Sequence, residues 1–498
     1  MSRTVLTRWN YPRPDVLEQV YPAGKPPFDP FPNVSELINA FHCPRAIYQY
    51  LHHAEDGACI PRTATAGWRS GETFHSFIVL LKNSIIEGKF KLGSQNPQNL
   101  ISHGWSLFIN SNLAKNIDKP DVFWKQYIEP WTRRKASELI GLGPNSKNYF
   151  ELTIANTKIQ FKTRDGGIRN YPLTGRIDEI DINRRQIIDR TLRNEITPKD
   201  YQVWLLWKTL CSIDRSQYPE HLKDVDFSTF DLIVETPTTD TKVDKINPEF
   251  EYRTHDCYAW IHDLTFDPKA VAEAYLDKTC TKDNKKDCGL AWMCYMHKWP
   301  FPMARGEMRR KFKDMYRALL WEKIWGYDLF QYRFLSLSQD KLEKQALLCR
   351  ATIVPKSQRN NTFQVRINNP LHAGLIWAKG TDGIDRFLVI FGNFSIGLRH
   401  RATMERIGPD LFSVKIEGGR LPSLFGQPLI ATTGTDFLVF EERPTYLITG
   451  LQKDLHNLEF RGAKNPDRAL GDSKIQILEA IFGSRSITRG GNENNEQQ

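Results

Sequence analysis

The sequence predicts an α/β protein: a mixed sheet flanked by helices, followed by a small β-barrel. Three observations lead there. Apolar residues recur at helical spacing through the first third of the chain. From Tyr149 the period changes to strands that alternate with helices. From Leu347 onward, short strands separated by Gly, Pro and Asn turns replace both patterns.

Residues 1–32, rich in Pro and aromatics (YPAGKPPFDPFP), read as an irregular arm. Asn33 followed by Glu36 is a capping-box pattern, and Leu37, Ile38 and Phe41 carry a helix as far as Pro44, with Cys43 at the break. A second helix runs through Ile47, Tyr48 and Leu51. A third runs through Phe74, Phe77, Ile78 and Leu81 with His75 on its side. FELTI and KIQFKT read as two strands about a short ANT turn, with YPLTGRIDEIDI and QIIDR as further strands. Val203, Leu206, Trp207 and Leu210 give a helix, and FDLIVET the strand after it.

A helix from about Pro268 to Tyr275 leads to a group of cysteines, and the basic amphipathic stretch MRRKFKDMYRALLWEKIW ends the first domain. The barrel strands are LLCRATIV, TFQVRI, RFLVIFG, LFSVKIE, DFLVFEE and TYLITG. A last helix, SKIQILEAIF, precedes a polar tail. The organisation is therefore an arm over 1–32, a first domain over 33–335, a barrel over 345–465 and a terminal helix and tail over 466–498. There is no internal repeat.

A chain of 498 residues calls for two or three domains, and 40% hydrophobic with 25% charged residues excludes global disorder. A net charge of +10 favours a polyanionic partner such as nucleic acid. No apolar run approaches the ~20 residues of a membrane span, and no secretory leader pattern opens the chain, so a cytoplasmic protein without a membrane partner is expected. Eight cysteines in so long a chain do not form a dense disulfide framework; a reducing cytosol keeps them as thiols or metal ligands.

Three residues suggest chemistry: His75 on a helix, Asp178 in GRID on a strand and Asp189 in IIDRT on the next strand. Adjacent strands can present two carboxylates to one point. Hard oxygen ligands are what Mg²⁺ or Mn²⁺ needs for phosphodiester hydrolysis.

The order of Cys43-Pro44-Arg45, a helical His, G-x-I-D, an I-I-D strand, a Gln-led helix and a late cysteine group resembles the RecB-like PD-(D/E)XK iron–sulfur nucleases over residues 33 to 300. The pattern is similar to CRISPR-associated RecB-like exonucleases and to the nuclease and β-barrel part of flap-processing helicase–nucleases. The resemblance implies a restriction-endonuclease-like sheet in which His75, Asp178 and Asp189 bind the catalytic metal and Gln202 supports the site and the DNA. The family's motif is a carboxylate, any residue, then lysine, but here Asp189, Arg190 and Thr191 stand in a row. Arg190, Lys199 and Lys208 are the candidates to supply the missing positive charge; arginine, planar and always charged, is not equivalent to lysine for positioning water. The family's tyrosine four residues after the Gln is replaced by Leu206, with Tyr201 as the candidate substitute.

The same resemblance implies that Cys43, Cys280, Cys288 and Cys294 hold a structural [4Fe–4S] cluster. Seven residues separate Cys280 from Cys288 and five separate Cys288 from Cys294; the longer, polar spacer departs from the family. Four cysteines also suit zinc, and buried thiols are the third reading. The function so implied is a metal-dependent deoxyribonuclease acting on single strands, flaps or ends, working with a separate helicase, translocase or defence effector. The alternative is a catalytically weakened, DNA-binding scaffold. No G-x-x-x-x-G-K-[ST] loop is present, so no ATPase is expected. The run of Arg309, Arg310, Lys311 and Lys313 is either a phosphate contact or a solvated face, and the barrel aromatics are either core or a stacking platform.

Overall fold

The computed structural model describes residues 30–42, 62–89, 96–143, 145–192, 197–219, 222–266, 329–345, 348–359, 361–369, 371–372, 386–392, 394–416, 423–424, 427–428 and 436–441. Helix α1 (Val34–His42) opens with the reciprocal cap that the sequence calls for: Glu36 N donates to Asn33 Oδ1 at 2.9 Å, and Asn33 N to Glu36 Oε2 at 2.8 Å. Helix α2 (Arg62–Ile86) is long, and Phe74, Phe77, Ile78 and Leu81 recur on its buried side. They pack against α3 (Pro97–Ile109) and the short helical segments that follow it, with Phe77 set edge-on to Phe108 and Trp124. This aromatic cluster is a core separate from that of the sheet.

The sheet begins with β1 (Asn148–Lys162), β2 (Ile168–Asp181) and β3 (Gln186–Arg190), which form an antiparallel meander. Helix α4 (Thr197–Cys211) then crosses over to β4 (Asp231–Glu235), which pairs parallel to β3, and β5 (Asp240–Val243) closes that edge. Helix α5 (Pro248–Phe266) packs against α1 and β1. After α6 (Leu329–Ser336) and α7 (Gln339–Lys344) come β6 (Cys349–Ile353), β7 (Thr362–Ile367), β8 (Arg386–Gly392), β9 (Ile396–Arg406) and β10 (Leu411–Ile416). The two-residue strands β11 (Ser423–Leu424) and β12 (Gln427–Pro428) pair with each other, and β13 (Asp436–Glu441) inserts between β6 and β8. The whole is mixed α/β, with a large, mostly antiparallel sheet flanked by helices.

Strand order is β10-β7-β6-β13-β8-β9-β1-β2-β3-β4-β5, and β10 also pairs with β9. The pairings among β6, β7, β10, β9, β8 and β13 therefore run in a circuit. Strand β9 joins this circuit to the meander, Thr153 facing Gly397 and Ile154 facing Ile396.

Several local features depart from the sequence reading. FELTI and KIQFKT are not two strands about a turn but one strand, β1, with a register shift between Asn156 and Ile159. The Asn156 side chain explains this: Oδ1 accepts from Lys158 N at 3.0 Å and Nδ2 donates to Ser212 O at 2.6 Å, so the irregularity is hydrogen-bonded without reversing the chain. The reversal comes later, at Thr163–Gly167, where Gly166 takes φ +82°. Strand β9 and helix α5 are elements the sequence reading lacks.

The expected helix through Ile47, Tyr48 and Leu51, the helix at Pro268, the cysteine group, the basic run at Arg309, the strand TYLITG, the last helix and the tail lie outside the described residues. Among the described residues, no helix is long and apolar enough to cross a membrane.

Glycine in G-x-I-D has a packing reason. A Cβ on Gly175 would stand 2.5 Å from Leu206 Cδ2 on α4 and 2.8 Å from Val34 Cγ2 on α1. Only glycine lets both helices lie this close to β2, three residues before Asp178.

Candidate functional site

The β2–β3 ladder ends at Glu179 and Ile188, and the next residues, Asp178 on β2 and Asp189 on β3, bring their carboxyls together where the pairing stops. Neither carboxyl is fully open to bulk water. Asp178 Oδ2 accepts the backbone N–H of Arg190 at 2.9 Å. Asp189 is fully buried: Gln202 Nε2 donates to its Oδ1 at 3.0 Å, and the Lys199 ammonium lies 3.2 Å from its Oδ2. Lys199 and Gln202 are one turn apart on α4 and touch each other, Nζ to Oε1 at 3.3 Å.

The two carboxyls are pushed apart in acidity. Burial, reinforced by the Asp178 charge and hydrogen bond, raises the Asp189 carboxyl to about 7 in spite of Lys199. Burial also works against Asp178, but His75, Lys199, the Arg190 charge and the Arg190 N–H outweigh it and hold that carboxyl below its ordinary value. Burial and the neighbouring carboxylate thus act to raise Asp189, while the surrounding cations act to lower Asp178.

His75 comes to Asp178 from α2, Nδ1 to Oδ2 at 3.6 Å, and its Nε2 lies 2.9 Å from Glu151 Oε1. Glu151 sits near the start of β1 at φ +58°, a left-handed conformation that costs a non-glycine residue about 1–3 kcal/mol. Arg176 on β2 holds its other oxygen at 3.2 Å. Burial disfavours the Glu151 charge, yet the His75 hydrogen bond and Arg176 keep its carboxyl below the usual range. Glu151 is the site residue that sequence reasoning missed: in FELTI it reads as the solvent-side member of an alternating strand, and only its backbone conformation marks it out.

The next residue along each strand points the other way. Glu179 and Arg190 stand on the opposite face, where the Arg190 guanidinium bridges Glu179 and Glu235, the latter at 2.9 Å. Lys82 reaches both Glu179 oxygens at 2.7 and 2.9 Å, Asn148 Nδ2 donates to one of them at 2.6 Å, and Lys135 pairs with Glu235 at 2.8 Å and Asp240 at 2.6 Å. Both carboxyls are held below their ordinary values, the neighbouring cations outweighing burial.

Of the residues singled out in the sequence, the structure brings together His75, Asp178, Asp189 and Gln202, with Lys199 beside them. It does not bring the Arg190 side chain there; only the Arg190 backbone touches the acidic pair. Lys208 pairs with Glu251 at 2.7 Å, and Tyr201 is buried with its hydroxyl on Thr254 at 2.8 Å, so neither substitutes for the missing motif residues. Cys43, Cys280, Cys288 and Cys294 lie outside the described residues.

Whether the site fits a metal ion rests on its donors. His75 Nδ1 is buried with no hydrogen-bond partner, and Asp189 Oδ2 faces the Lys199 ammonium at 3.2 Å. The carboxylate oxygens are suitable ligands for Mg²⁺ or Mn²⁺, and an imidazole nitrogen beside them favours the softer Mn²⁺ of the two. Among the described residues, no three His, Cys, Asp or Glu side chains are already set around a common point to hold an ion, so binding requires side-chain adjustment. In comparisons with known proteins, no family model and no curated protein matches this chain.

Proposed function

We propose that this chain is a metal-dependent deoxyribonuclease of the RecB-like PD-(D/E)XK type, acting on single strands, flaps or free ends. The observation that carries the reading is the meeting of His75, Asp178 and Asp189, from a helix and two adjacent strands, with a lysine ammonium beside the second carboxylate. An antiparallel meander followed by a helical crossover to a parallel strand supports the fold, and the circuit of six C-terminal strands supports a closed barrel.

His75, Asp178 and Asp189 would hold a Mg²⁺ or Mn²⁺, which supplies Lewis-acid stabilisation and an activated water for phosphodiester hydrolysis. The chain's own groups do the rest. His75 Nε2 donating to Glu151 leaves Nδ1 available as a ligand facing Asp178. Gln202 fixes the rotamer of Asp189 by donating to Oδ1. Lys199 takes the place of the absent motif lysine: reaching Asp189 from α4 rather than from β3, it puts a positive charge where water and phosphate would meet. Arg176, about 60% exposed beside Glu151, is the cation at the solvent edge that a phosphate would encounter.

A structural [4Fe–4S] cluster on Cys43, Cys280, Cys288 and Cys294, and a separate helicase, translocase or defence effector as partner, belong to the same proposal and rest on the sequence resemblance. Iron and sulfide analysis of anaerobically purified protein checks the first; a colourless, zinc-loaded sample overturns it.

The test of the main reading is digestion of single-stranded and flap DNA with Mg²⁺ or Mn²⁺. Asp178→Ala and Asp189→Ala are each expected to lower cleavage by at least about 10³-fold while DNA binding persists. Absence of metal-dependent cleavage by the wild-type chain, alone and with its partner, overturns the nuclease and leaves a DNA-binding scaffold.

A further inference from the structure

The network of charges behind the acidic pair is more than the burial of a few ions. Lys82, Glu179, Arg190, Glu235 and Lys135 are each no more than 5% exposed. Burying so many charges is costly, and a hydrophobic packing of equal volume is often as stable, so the arrangement calls for a reason other than stability. Its connectivity supplies one. Glu179 follows Asp178 on β2, Arg190 follows Asp189 on β3, and Lys82 stands seven residues after His75 on α2, two helical turns along the same face. Three network members thus belong to the three backbone segments that carry the candidate site.

The network also fixes those segments relative to each other. Arg190 spans β2 and β4 by gripping Glu179 and Glu235, and this holds its backbone N–H on Asp178. Lys82 ties α2 to β2, and Lys135 ties the helical layer to β4 and β5 through Glu235 and Asp240. We infer that the Lys82–Glu179–Arg190–Glu235–Lys135 network is a positioning unit that sets the distances among His75, Asp178 and Asp189, and that Arg190, where the family motif has its variable residue, acts through its backbone amide and not as a catalytic side chain. The inference rests on the nuclease reading for its catalytic consequence, though not for its geometry.

The test uses the full chain and a charge-balanced double variant, Lys82→Met/Glu179→Gln. It removes one cation and one anion together, so no orphaned charge remains, and the amide oxygen introduced by Glu179→Gln can still accept from Asn148. Three readouts are taken. In metal-free protein, exchange of the Arg190 amide proton should speed up at least tenfold while that of Ile233 on β4 is unchanged. Mn²⁺ affinity without substrate, followed by electron paramagnetic resonance, should fall about tenfold or more. In cleavage, kcat should drop about a hundredfold with KM for DNA unchanged.

Arg190→Lys keeps a charge but cannot bridge two carboxylates in the same fork, and it should show the same three changes more weakly. Wild-type Arg190 exchange and wild-type Mn²⁺ affinity in the folded double variant overturn the inference, as does collapse of the fold in both variants, which would make the network a stability element. If wild-type protein neither binds Mn²⁺ nor cleaves, the nuclease reading fails, and the Arg190 exchange alone decides the positioning claim.

Discussion

Asp189 is where the physical conflict of the site is sharpest, because a fully buried carboxyl faces a second one. Its carboxyl is raised to about 7, whereas in the unfolded chain it ionises near ~3.9. Between those values the folded state holds a proton that the unfolded state has lost, so stability falls as pH rises through this window, by on the order of 2–4 kcal/mol. Asp178 acts in the opposite sense and elsewhere: its lowered value adds stability above ~3.9 that is lost only as pH falls further. Asp189→Asn, in chelator, is therefore expected to flatten the decline between about pH 4 and pH 7 and to be more stable than wild type at pH 8, as read by denaturant titration across pH. Equal pH profiles for the two proteins would contradict the upward shift at Asp189. Lys199 makes the complementary claim. Lys199→Met should lower kcat by about 10²–10³ with little change in KM, and Lys208→Met, whose partner is Glu251, should not.

At the scale of elements, Gly175 couples the packing of two helices to the strand that carries Asp178. Gly175→Ala forces a methyl to within 3 Å of Leu206 and Val34, which should cost about 1–3 kcal/mol and displace β2. Pairing it with Val34→Ala should restore part of the loss; strict additivity of the two changes in denaturant titration would show that the contact is not real. The same elements show what the sequence made legible. Asn33 and Glu36 announced α1 because a capping box is a local hydrogen-bond pattern, and Asp178 and Asp189 could be paired because strand alternation is read directly from residue order. Strand β9 was not legible: Arg399, His400, Arg401, Glu405 and Arg406 give it a polar surface that resembles a loop, and its pairing on both sides is a tertiary fact. Lys199 could be named only as one candidate of several, since nothing in the spacing after Asp189 says which residue of α4 turns back toward β3.

For the whole molecule, the question is whether the C-terminal strands are an appendage or part of the body that holds the site. Strand β9 extends the sheet from β1 only two residues from Glu151, with Ala155 N donating to Ser395 O at 2.9 Å and Ser395 Oγ donating to Gln217 beyond α4. One apolar cluster runs from Ile187 and Leu232 in the meander region to Val389, Ala402 and Val414 in the C-terminal strands. Segments that share a core and a continuous hydrogen-bond ladder open together, because exposing one strips apolar cover from the other. Native-state hydrogen exchange of the metal-free chain should therefore give amides in β3 and β4, such as Ile187 and Ile233, and amides in β7 and β10, such as Val365 and Val414, opening free energies within about 1 kcal/mol of one another. Thr153→Pro removes a backbone donor within the β1–β9 segment and should lower both sets together. If instead the β7 and β10 amides exchange several-fold faster than those of β3 and β4 in the wild type, and respond to Thr153→Pro alone, the circuit of strands is a separate module and Glu151 owes its conformation to β1 by itself.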